Sequence, residues 1–262
     1  MNKTVSILGC GWLGKPLAIK LIESGYALKG STTSIEKFGE FEKLGIQPYL
    51  ISLVNLPESV NEFLNSEILI VAIPSKNSEN FKNLINHIEK SSVVKVLFIS
   101  STSVYSTNND VVSENSPVQN SPLVTIEKYF SSNSNFKTTI VRFPGLFGYD
   151  RKPGNFFKNG RAIPNPEGFV NMIHQDDCVL ILEKILTDNI WGEFFNACAD
   201  THPSRRDYYT KTKEDLGNES PIFVETETTV FKIISNKKLK SVLNYKFKYG
   251  DLMELDYGNF DS

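Results

Sequence analysis

Three glycines separate a β-strand pattern from a helix pattern in the stretch Ile7-Leu8-Gly9-Cys10-Gly11-Trp12-Leu13-Gly14-Lys15-Pro16-Leu17-Ala18. In a GxGxxG turn of this kind, Gly9 allows the tight turn, Gly11 lets the backbone approach a pyrophosphate, and Gly14 lets the helix pack against the strand. The start of the helix then offers unpaired N–H groups and positive partial charge to phosphate. The stretch therefore predicts a dinucleotide-binding turn; the alternative is a glycine turn that binds no ligand.

The two large residues of this turn, Trp12 and Leu13, are predicted to lie beside the dinucleotide. Their backbone N–H groups, rather than their side chains, are expected to face the phosphates. Core packing is the alternative role for the two side chains, and it is compatible with backbone contacts to a ligand.

The first 150 residues alternate short β-branched runs with segments of helical spacing. The predicted strands are Val5–Leu8, Ala27–Ser31, Gln47–Ser52, Ile68–Ile73, Val93–Ser100 and Thr138–Phe143. The predicted helices between them are Lys15–Glu23, Ile35–Leu44, Asn80–Glu89 and Val124–Phe130. This alternation indicates parallel strands joined by crossover helices, hence an α/β layered sheet. The nearly continuous apolar runs at 68–73 and 93–100 are typical of central strands covered on both faces.

The chain changes character after residue 143. Residues 144–170 are rich in Pro, Gly, Asn and Phe, which indicates long ordered loops with short elements. The predicted elements beyond them are a helix from about Asp176 to Leu186, a strand at Glu193–Ala197 and a short basic helix at Ser235–Leu243. Another helix is predicted to begin after Ser204, whose hydroxyl would be its N-cap.

Length, composition and charge exclude several classes of protein. The 262 residues are 40% apolar and 22% charged with a formal net charge of −2, which is typical of a globular chain. The charge balance and the dispersed basic residues predict no nucleic-acid partner. The longest apolar run, Ile68–Ile73, is too short to cross a bilayer, so no membrane association is predicted. Three scattered cysteines and the absence of a signal-peptide pattern predict a cytoplasmic protein with neither disulfides nor a metal site.

The end of the second predicted strand bears on the choice between NAD and NADP. An acidic residue about 20 positions after the glycines would hydrogen-bond the adenosine ribose of NAD. Residues 28–34 contain none, which favours NADP over NAD. The side chains that could receive a 2′-phosphate are those of Ser31, Thr32, Thr33 and Lys37. Capping of the helix that follows is the alternative role of these hydroxyl groups, and both roles can hold together.

Four further segments follow the glycine turn in a recognisable order. They are Phe98-Ile99-Ser100-Ser101-Thr102-Ser103-Val104-Tyr105, Val141-Arg142-Phe143-Pro144-Gly145-Leu146-Phe147-Gly148, Asn171-Met172-Ile173-His174-Gln175-Asp176-Asp177 and Ile234-Ser235-Asn236-Lys237-Lys238-Leu239. With the turn, they make the chain resemble the extended short-chain dehydrogenase/reductase superfamily from Val5 to about Tyr249. More narrowly, the series is similar to the NAD-dependent epimerases/dehydratases and nucleoside-diphosphate-sugar epimerases.

The resemblance implies a Rossmann-type, doubly wound parallel sheet of the α/β class with a small C-terminal α+β substrate domain. It implies an NAD(P)-binding domain at residues 1–150, to which parts of 175–200 could return, and a substrate-binding region at 151–262. The implied activity is that of an NAD(P)-dependent oxidoreductase or epimerase acting on a nucleotide-sugar or a similar polar carbonyl or hydroxyl substrate. Because extended members are often dimers, a homodimer is compatible with the resemblance.

The resemblance also assigns residues to the site. Ser101 matches the family's catalytic Ser/Thr and Thr102 lies beside it; the alternative is that Ser100–Ser103 satisfy backbone groups at a strand end. The residues that end the fourth strand, where the family's loop passes the adenosine side of the dinucleotide, are Ala72, Ile73 and Pro74. The remaining cofactor contacts, also at strand ends, are Ser100 and, beside the nicotinamide, Phe143 and Pro144.

The sequence departs from the family at the general base, which is a Tyr followed four residues later by a Lys. Between residues 105 and 143 the single Tyr is Tyr129, and Asn133 stands four residues after it. Neither an alignment on a nearby lysine nor one on Glu127, which matches a family glutamate, yields the pair; the latter puts Gln119 at the Tyr position. This departure resembles the atypical extended subgroup, whose members keep the fold and the glycine turn but often lack the Tyr.

Other polar groups could take the place of the missing base. The ordinary pKa of His174 suits proton transfer near neutrality. The alternative is that this segment caps the following helix, with Asp176 or Asp177 as N-cap and His174 bonded locally. Arg151 and Lys152 could meet an anionic substrate, with a solvated charge cluster as the alternative.

Three functions are compatible with these observations. The first is the NAD(P)-dependent oxidoreductase or epimerase described above. The second is a dinucleotide-binding sensor or scaffold that has lost the Tyr–Lys pair and catalyses no reaction. The third is an α/β protein that uses another nucleotide ligand, such as an S-adenosylmethionine-dependent methyltransferase.

Overall fold

The computed structural model describes residues 3–260, which form two compact units. The first unit comprises residues 3–104, 119–142 and 179–195, and the second comprises residues 105–118, 143–178 and 196–260. Residues 105–118 and 143–150, which the sequence-based division assigned to the cofactor-binding part, lie in the second unit. Residues 179–195, inside the segment expected to return, lie in the first unit.

Seven strands of the described residues form the central sheet. In spatial order they are β3 (Ile46–Leu50), β2 (Ala27–Thr32), β1 (Thr4–Leu8), β4 (Ile68–Val71), β5 (Lys95–Ser101), β7 (Lys137–Phe143) and β11 (Phe194–Asn196). The pairings from β3 through to β5 are parallel. Because β1 pairs with β2 on one side and with β4 on the other, the strand order reverses at β1, as in doubly wound sheets. The predicted α/β class and parallel central sheet are confirmed.

The apolar runs that predicted the inner strands are buried. All four residues of β4 are buried, as is Val5–Leu8 of β1. The register pairs Ile7 with Ile70 and Leu8 with Val71, so that β1 and β4 end level with each other. Residues that follow the two strands are therefore brought together at the carboxyl edge of the sheet, the edge at which open α/β sheets bind ligands.

Most helices begin close to the positions that the sequence pattern predicts, whereas the short helix at Val60–Phe63 was not predicted. In residues 3–260 they are α1 (Gly14–Glu23), α2 (Phe38–Lys43), α3 (Val60–Phe63), α4 (Ser78–Ile88), α5 (Pro122–Ser131), α6 (Gln175–Thr187), α7 (Arg205–Asp215) and α8 (Lys237–Leu243). The predicted N-cap Ser204 is confirmed, since its Oγ accepts a hydrogen bond of 3.0 Å from the Asp207 N–H. None of these helices is long and apolar enough to span a membrane.

The start of α6 corrects one prediction. The helix begins at Gln175, so Asp176 and Asp177 lie in its first turn and neither is its N-cap. The residue in front is His174, whose Nδ1 accepts a hydrogen bond of 3.1 Å from the Asp176 N–H. The imidazole replaces a carboxylate cap because it satisfies the same backbone donor near the helix start. The local bonding of His174 is thus confirmed, and the assignment of an aspartate as N-cap is wrong.

The second unit is built on short parallel strand pairs. They are β6 (Val111–Val112) with β13 (Ile233–Ile234), β8 (Gly145–Phe147) with β10 (Met172–His174), and β9 (Ile163–Pro164) with β12 (Phe223–Val224). Fully buried members of its core include Phe147, Ile163, Tyr208, Leu252 and Tyr257. Residues 144–170, predicted as ordered loops with short elements, contribute β8, β9 and a 3₁₀ turn at Pro153–Asn155.

Candidate functional site

A cavity of about 500 Å³ opens in the first unit beyond the carboxyl ends of β1 to β4. Its walls come from the glycine turn after β1, the end of β2, and the segments that follow β3 and β4. The predicted cofactor contacts that line it are Gly9, Gly11, Ser31, Thr32, Thr33, Lys37, Ala72, Ile73 and Pro74. This position, next to the reversal of strand order, is where doubly wound sheets hold their ligands.

The cavity has further wall residues that the sequence analysis missed. They are Leu8, Cys10, Ile51, Leu53, Val54, Ser75 and Asn80. Leu8 precedes the first glycine and Cys10 lies between the first two, so both could have been found from the motif. The residues after β3 carry no motif, and they reach the cavity because the sheet brings the end of β3 beside the end of β2. Only the strand order identifies them.

Packing leaves no room for a side chain at two of the three glycines of the turn, whereas the third has open space beside it. Gly9 has φ +100°, and a Cβ there would lie 2.7 Å from the Ala72 carbonyl oxygen. A Cβ on Gly14 would overlap the Gly9 carbonyl oxygen. In contrast, a Cβ on Gly11 would meet no atom of the described residues within 4 Å, and Gly11 faces the cavity. The space beside Gly11 is therefore open to a ligand.

The end of β2 holds the glycine turn in place. The Gly9 N–H donates a hydrogen bond to Ser31 Oγ at 2.9 Å, and the Cys10 N–H donates to the Ser31 carbonyl oxygen at 2.9 Å. Thr32 Oγ1 accepts from the Ser34 N–H at 3.1 Å. The Ser31 and Thr32 hydroxyls thus shape the loops around the cavity. The lining residues Thr33 and Lys37 are exposed at its rim.

The charge of the cavity is suited to an anion. Among the described residues that line it, none is acidic and Lys37 is the charged one. The nearby Glu40 carboxylate is engaged by Lys15 at 2.7 Å, and this hydrogen bond lowers the pKa of Glu40. Since no carboxylate faces the cavity, a phosphate-bearing ligand would meet no repulsion from its walls.

Cys10 contributes the one thiol among the described residues that line the cavity. The residue is 4% exposed, and burial raises the pKa of its thiol to about 12. A thiol held protonated at neutral pH is a poor nucleophile and a poor metal ligand. Elsewhere in residues 3–260, no group of three or more His, Cys, Asp and Glu side chains is placed to hold a metal ion.

The remaining predicted cofactor contacts do not line the cavity. They are Trp12, Leu13, Gly14, Ser100, Phe143 and Pro144. Leu13 is buried where α1 begins, and the side chains of Ser100 and Phe143 are buried at the ends of β5 and β7. The role of these six residues as cofactor contacts stays a prediction.

A buried polar network ties together α5 and the ends of β5 and β7. Glu127 accepts hydrogen bonds from Arg142 Nε at 2.9 Å and Nη2 at 2.6 Å, and from Ser100 Oγ at 2.6 Å. The three residues are 2%, 4% and 7% exposed, respectively. The Arg142 guanidinium also lies over the Phe194 ring, 5.0 Å from its centroid. Each charge is paired within the network, which fixes the ends of the two strands.

Comparison with known proteins follows this geometry. A search among protein families finds no match. Protein YeeZ of Escherichia coli K12 is 29% identical over an alignment of 267 positions that covers 95% of this chain and 97% of YeeZ. A conserved protein of unknown function from Silicibacter pomeroyi superposes with a TM-score of 0.80 at 20% identity over 96% of each chain. UDP-glucuronic acid 4-epimerase from Bacillus cereus, solved with NAD, superposes with a TM-score of 0.77 at 19% identity over 97% of this chain and 96% of the epimerase.

The chain has the fold of the extended short-chain dehydrogenases/reductases. The resemblance stated from the ordered motifs is confirmed at this level. Two positions bear on whether this fold carries out catalysis here: the predicted catalytic Ser/Thr, and the place at which the family has its Tyr base.

The Ser101 hydroxyl of this dehydrogenase/reductase fold has a local partner. Its Oγ accepts a hydrogen bond of 3.1 Å from the Ser103 N–H at the end of β5. This contact matches the alternative role, in which the serines satisfy backbone groups. The hydroxyl proton is not used in that bond, and the side chain is half-buried rather than closed off. Thr102 is buried in the 3₁₀ turn that follows. The catalytic roles of Ser101 and Thr102 stay predictions.

The tyrosines of the first unit have their contacts away from Ser101. Tyr49 donates to Glu62 Oε1 at 2.9 Å, and Tyr129 lines a separate surface groove with Lys82 and Glu89. Tyr26 lies nearest to charges at the opposite edge of the sheet, among them Glu67 and Lys95. None of these contacts within the described residues reaches Ser101. The first unit thus offers Ser101 no phenol of the kind that extended short-chain dehydrogenases/reductases use as a base.

The amide of Gln119 lies beside the Ser101 segment. Gln119 Nε2 donates to the Ser103 carbonyl oxygen at 2.7 Å, and the Gln119 N–H donates to the Val104 carbonyl oxygen at 2.9 Å. An amide at this place can donate and accept hydrogen bonds but does not titrate near neutrality. Gln119 therefore cannot supply the proton acceptor that the family's Tyr provides.

His174 lies in the second unit and does not line the cavity of the first. Its side chain is fully buried among the rings of Phe147, Tyr149, Tyr249 and Phe260, whose centroids lie 3.9–5.4 Å from that of the imidazole. Burial lowers the pKa of His174 to about 4. With Nδ1 accepting from the helix, the neutral ring carries its proton on Nε2, which has no hydrogen-bond partner. A catalytic role for His174 stays a prediction, and its surroundings favour the structural one.

Proposed function

We propose that the protein binds a nicotinamide dinucleotide in the cavity of the first unit and acts as an NAD(P)-dependent oxidoreductase or epimerase. The observation that carries the proposal is the open space beside Gly11, at the reversal of strand order and in front of α1. Leu13 gives α1 no side-chain cap, and the first turn of α1 carries no acidic residue. Its start is therefore electrostatically suited to a pyrophosphate.

The cavity walls are compatible with the adenosine end of such a cofactor. Ile51, Leu53 and Val54 after β3, with Ile73 after β4, supply apolar surface for an adenine ring. Thr33 and Lys37 at the rim would meet the adenosine ribose. Because no acidic side chain lines the cavity, we propose NADP in preference to NAD.

The substrate class is proposed from the fold's relatives. The UDP-glucuronic acid 4-epimerase of Bacillus cereus has been solved in complex with UDP-glucuronic acid and NAD. We propose that this chain likewise accepts a nucleotide-sugar or a similar polar carbonyl or hydroxyl compound. When bound, the nicotinamide would supply the hydride acceptor. The hydroxyl proton of Ser101, which its bond to Ser103 leaves available, would orient a substrate oxygen.

A second candidate function is a dinucleotide-binding sensor or scaffold without catalysis. It is favoured by one observation: Gln119 stands beside Ser103, and the tyrosines of the described first unit have their contacts elsewhere. The two candidates share the cavity and differ in turnover. Cytoplasmic location and a homodimer also stay predictions.

Calorimetric titration with NADP, NAD and S-adenosylmethionine tests the shared part. We expect binding of a nicotinamide dinucleotide, and Gly11→Ala should weaken it by about tenfold to a hundredfold, because a methyl group would occupy the phosphate space. The matched control is Gly39→Ala, an exposed glycine of α2 whose Cβ would also meet no atom within 4 Å. Binding of S-adenosylmethionine alone, or equal binding by both variants, would overturn the proposal.

Hydride transfer separates the two candidates. A panel of carbonyl compounds would be screened by the near-ultraviolet absorbance of the reduced nicotinamide. A panel of nucleotide-sugars would be screened by chromatography of the products, because an epimerase returns the hydride and leaves no net change in the cofactor. Turnover that is lost in Ser101→Ala and kept in Ser103→Ala would establish the enzyme. Ser103 is a suitable control because it is exposed and contacts Ser101 through its backbone. Tight cofactor binding without turnover across the panel would support the sensor or scaffold.

A further inference from the structure

The second unit contains a separate cavity of about 420 Å³ that the proposed function does not use. Its walls come from residues 154–161, which follow β8, and from the end of α7 with the segment up to Ile222. Gly154 holds these two walls together, since a Cβ there would overlap the Thr212 carbonyl oxygen of α7. The Asn218 side-chain amide adds a hydrogen bond of 3.2 Å to the Gly154 carbonyl oxygen.

The charged side chains of this cavity are mostly basic. Lys158, Arg161 and Lys213 line it, together with a single carboxylate, that of Glu219. The lining is thus positive in a chain whose formal net charge is −2. A positive concave surface attracts small anionic ligands, whereas the net negative charge of the whole chain disfavours large polyanions.

None of the three cations takes part in an ion pair within the described residues. Other basic residues of the same helix, α7, are paired: Lys211 lies 2.9 Å from Asp215, and Arg206 lies 2.7 Å from Glu167. Lys213 is on that helix too, but it faces the cavity. The three positive charges around the cavity are therefore not neutralised by ion pairs, and the lining keeps an excess of positive charge over the single carboxylate of Glu219.

Arg161 is held in a geometry that leaves its donors available. Its guanidinium lies over the Phe157 ring, 5.3 Å from the centroid, and Phe157 packs in turn against Tyr209, with ring centroids 5.0 Å apart. Stacking uses the face of a guanidinium and leaves the N–H groups at its edge for an oxyanion. Phe157 and Ile222 add apolar wall, so the cavity can hold more than a bare phosphate.

We propose that this cavity binds a phosphate-bearing small molecule. Lys158, Arg161 and Lys213 take the phosphate, and Phe157 and Ile222 pack against the remainder of the ligand. This site is independent of the dinucleotide cavity, because all of its residues belong to the second unit.

The test is a titration of the full-length, ¹⁵N-labelled protein with inorganic pyrophosphate at constant ionic strength, followed by amide chemical shifts. Shifts are expected at residues 154–161 and around Lys213. The variant Lys158→Ala/Arg161→Ala/Lys213→Ala should weaken this binding by about tenfold or more, since it removes the charge-assisted hydrogen bonds. The control Lys90→Ala/Lys128→Ala/Lys246→Ala removes the same charge from exposed lysines elsewhere and should leave the affinity unchanged.

Pyrophosphate is also a probe for the glycine turn, whose amides report separately. Shifts at Gly9 and Gly11 that persist in Lys158→Ala/Arg161→Ala/Lys213→Ala belong to the dinucleotide cavity. The proposed phosphate site is then judged by the shifts at residues 154–161 and around Lys213. Shifts confined to the glycine turn, or equal affinities at residues 154–161 in the two triple variants, would overturn the proposed phosphate site without touching the dinucleotide proposal.

Discussion

Helices α1 and α6 each follow a β-strand, but the N-terminus of α1 has no side-chain cap, whereas that of α6 is capped. At the junction of β1 and α1, Leu13 precedes the helix without a side-chain cap, and the first turn has no acidic residue. At the junction of β10 and α6, His174 caps the helix, and Asp176 and Asp177 occupy its first turn. The first helix start adjoins a cavity, whereas the cap of the second is buried among aromatic rings.

The difference shows what makes a helix start available to a ligand. Both starts carry the partial positive charge of the helix dipole. In α6 the protein itself satisfies that charge with an imidazole and two carboxylates, so nothing is left for an anion. In α1 the residue at the N-cap position is Leu13, which has no capping side chain, and the space beside Gly11 in front of the helix is open, so the partial charge is left for an external group. The contrast can be tested at each junction separately.

The largest expected effect comes from Gly14→Ala at the junction of β1 and α1. A Cβ would overlap the Gly9 carbonyl oxygen, so the turn or α1 must move. We expect a loss of at least about 3 kcal/mol in the free energy of unfolding, at the upper end of overpacking effects. Urea denaturation measures it, with Gly39→Ala as the control that should be neutral or slightly stabilising. A Gly14→Ala protein as stable as the wild type would show that the turn does not pack as described.

The next largest effect on the free energy of unfolding comes from His174, at the junction of β10 and α6, and it depends on pH. The folded-state pKa of His174 is about 4, below its ordinary value of 6.5, so the unfolded chain binds more protons between these values. Stability is therefore lost as the pH falls through this window. Between pH 6.5 and pH 5 the loss from this group should be about 1.5 kcal/mol.

The variant His174→Asn isolates that contribution. Asparagine can cap α6 but does not titrate. Urea denaturation at the two pH values should show a smaller loss in His174→Asn than in the wild type, by the amount given above. His87→Asn, which replaces a half-buried histidine of α4, should keep the wild-type dependence. Identical pH dependence in all three proteins would rule out a neutral, buried His174.

The two junctions also show how far sequence reasoning reaches. The glycine turn was predictable because GxGxxG encodes backbone geometry directly: Gly9 needs its positive φ and Gly14 needs contact with a carbonyl group. His174 was harder, because a histidine is a base, a ligand or a cap according to its surroundings. Those surroundings include Tyr249 and Phe260, which are distant in sequence and contribute no recognisable motif.

The same limit applies to the rest of the candidate site. Alternation of strands and helices was enough to predict the parallel sheet. The wall residues Ile51, Leu53 and Val54 were missed because only the pairing of β3 with β2 brings them to the cavity. Ser100, predicted as a cofactor contact, donates its hydroxyl proton to Glu127, and the sequence could not show this contact because it depends on how α5 packs against β5.

The smallest expected effect concerns cofactor binding at the rim of the cavity beside the junction of β1 and α1. Lys37 lies exposed at the rim of the cavity and is the charged residue among the described ones that line it. If it meets the 2′-phosphate of NADP, Lys37→Ala should raise the Kd for NADP by about threefold to fivefold, the size of an exposed charge contact, and leave the Kd for NAD unchanged. Calorimetric titration measures both, and Lys43→Ala, an exposed lysine of α2, is the control. Equal weakening of NADP and NAD would place Lys37 near a phosphate common to both cofactors. No change in either would remove Lys37 from the site and with it the charge-based preference for NADP, while leaving the uncapped start of α1 as the anchor of the dinucleotide.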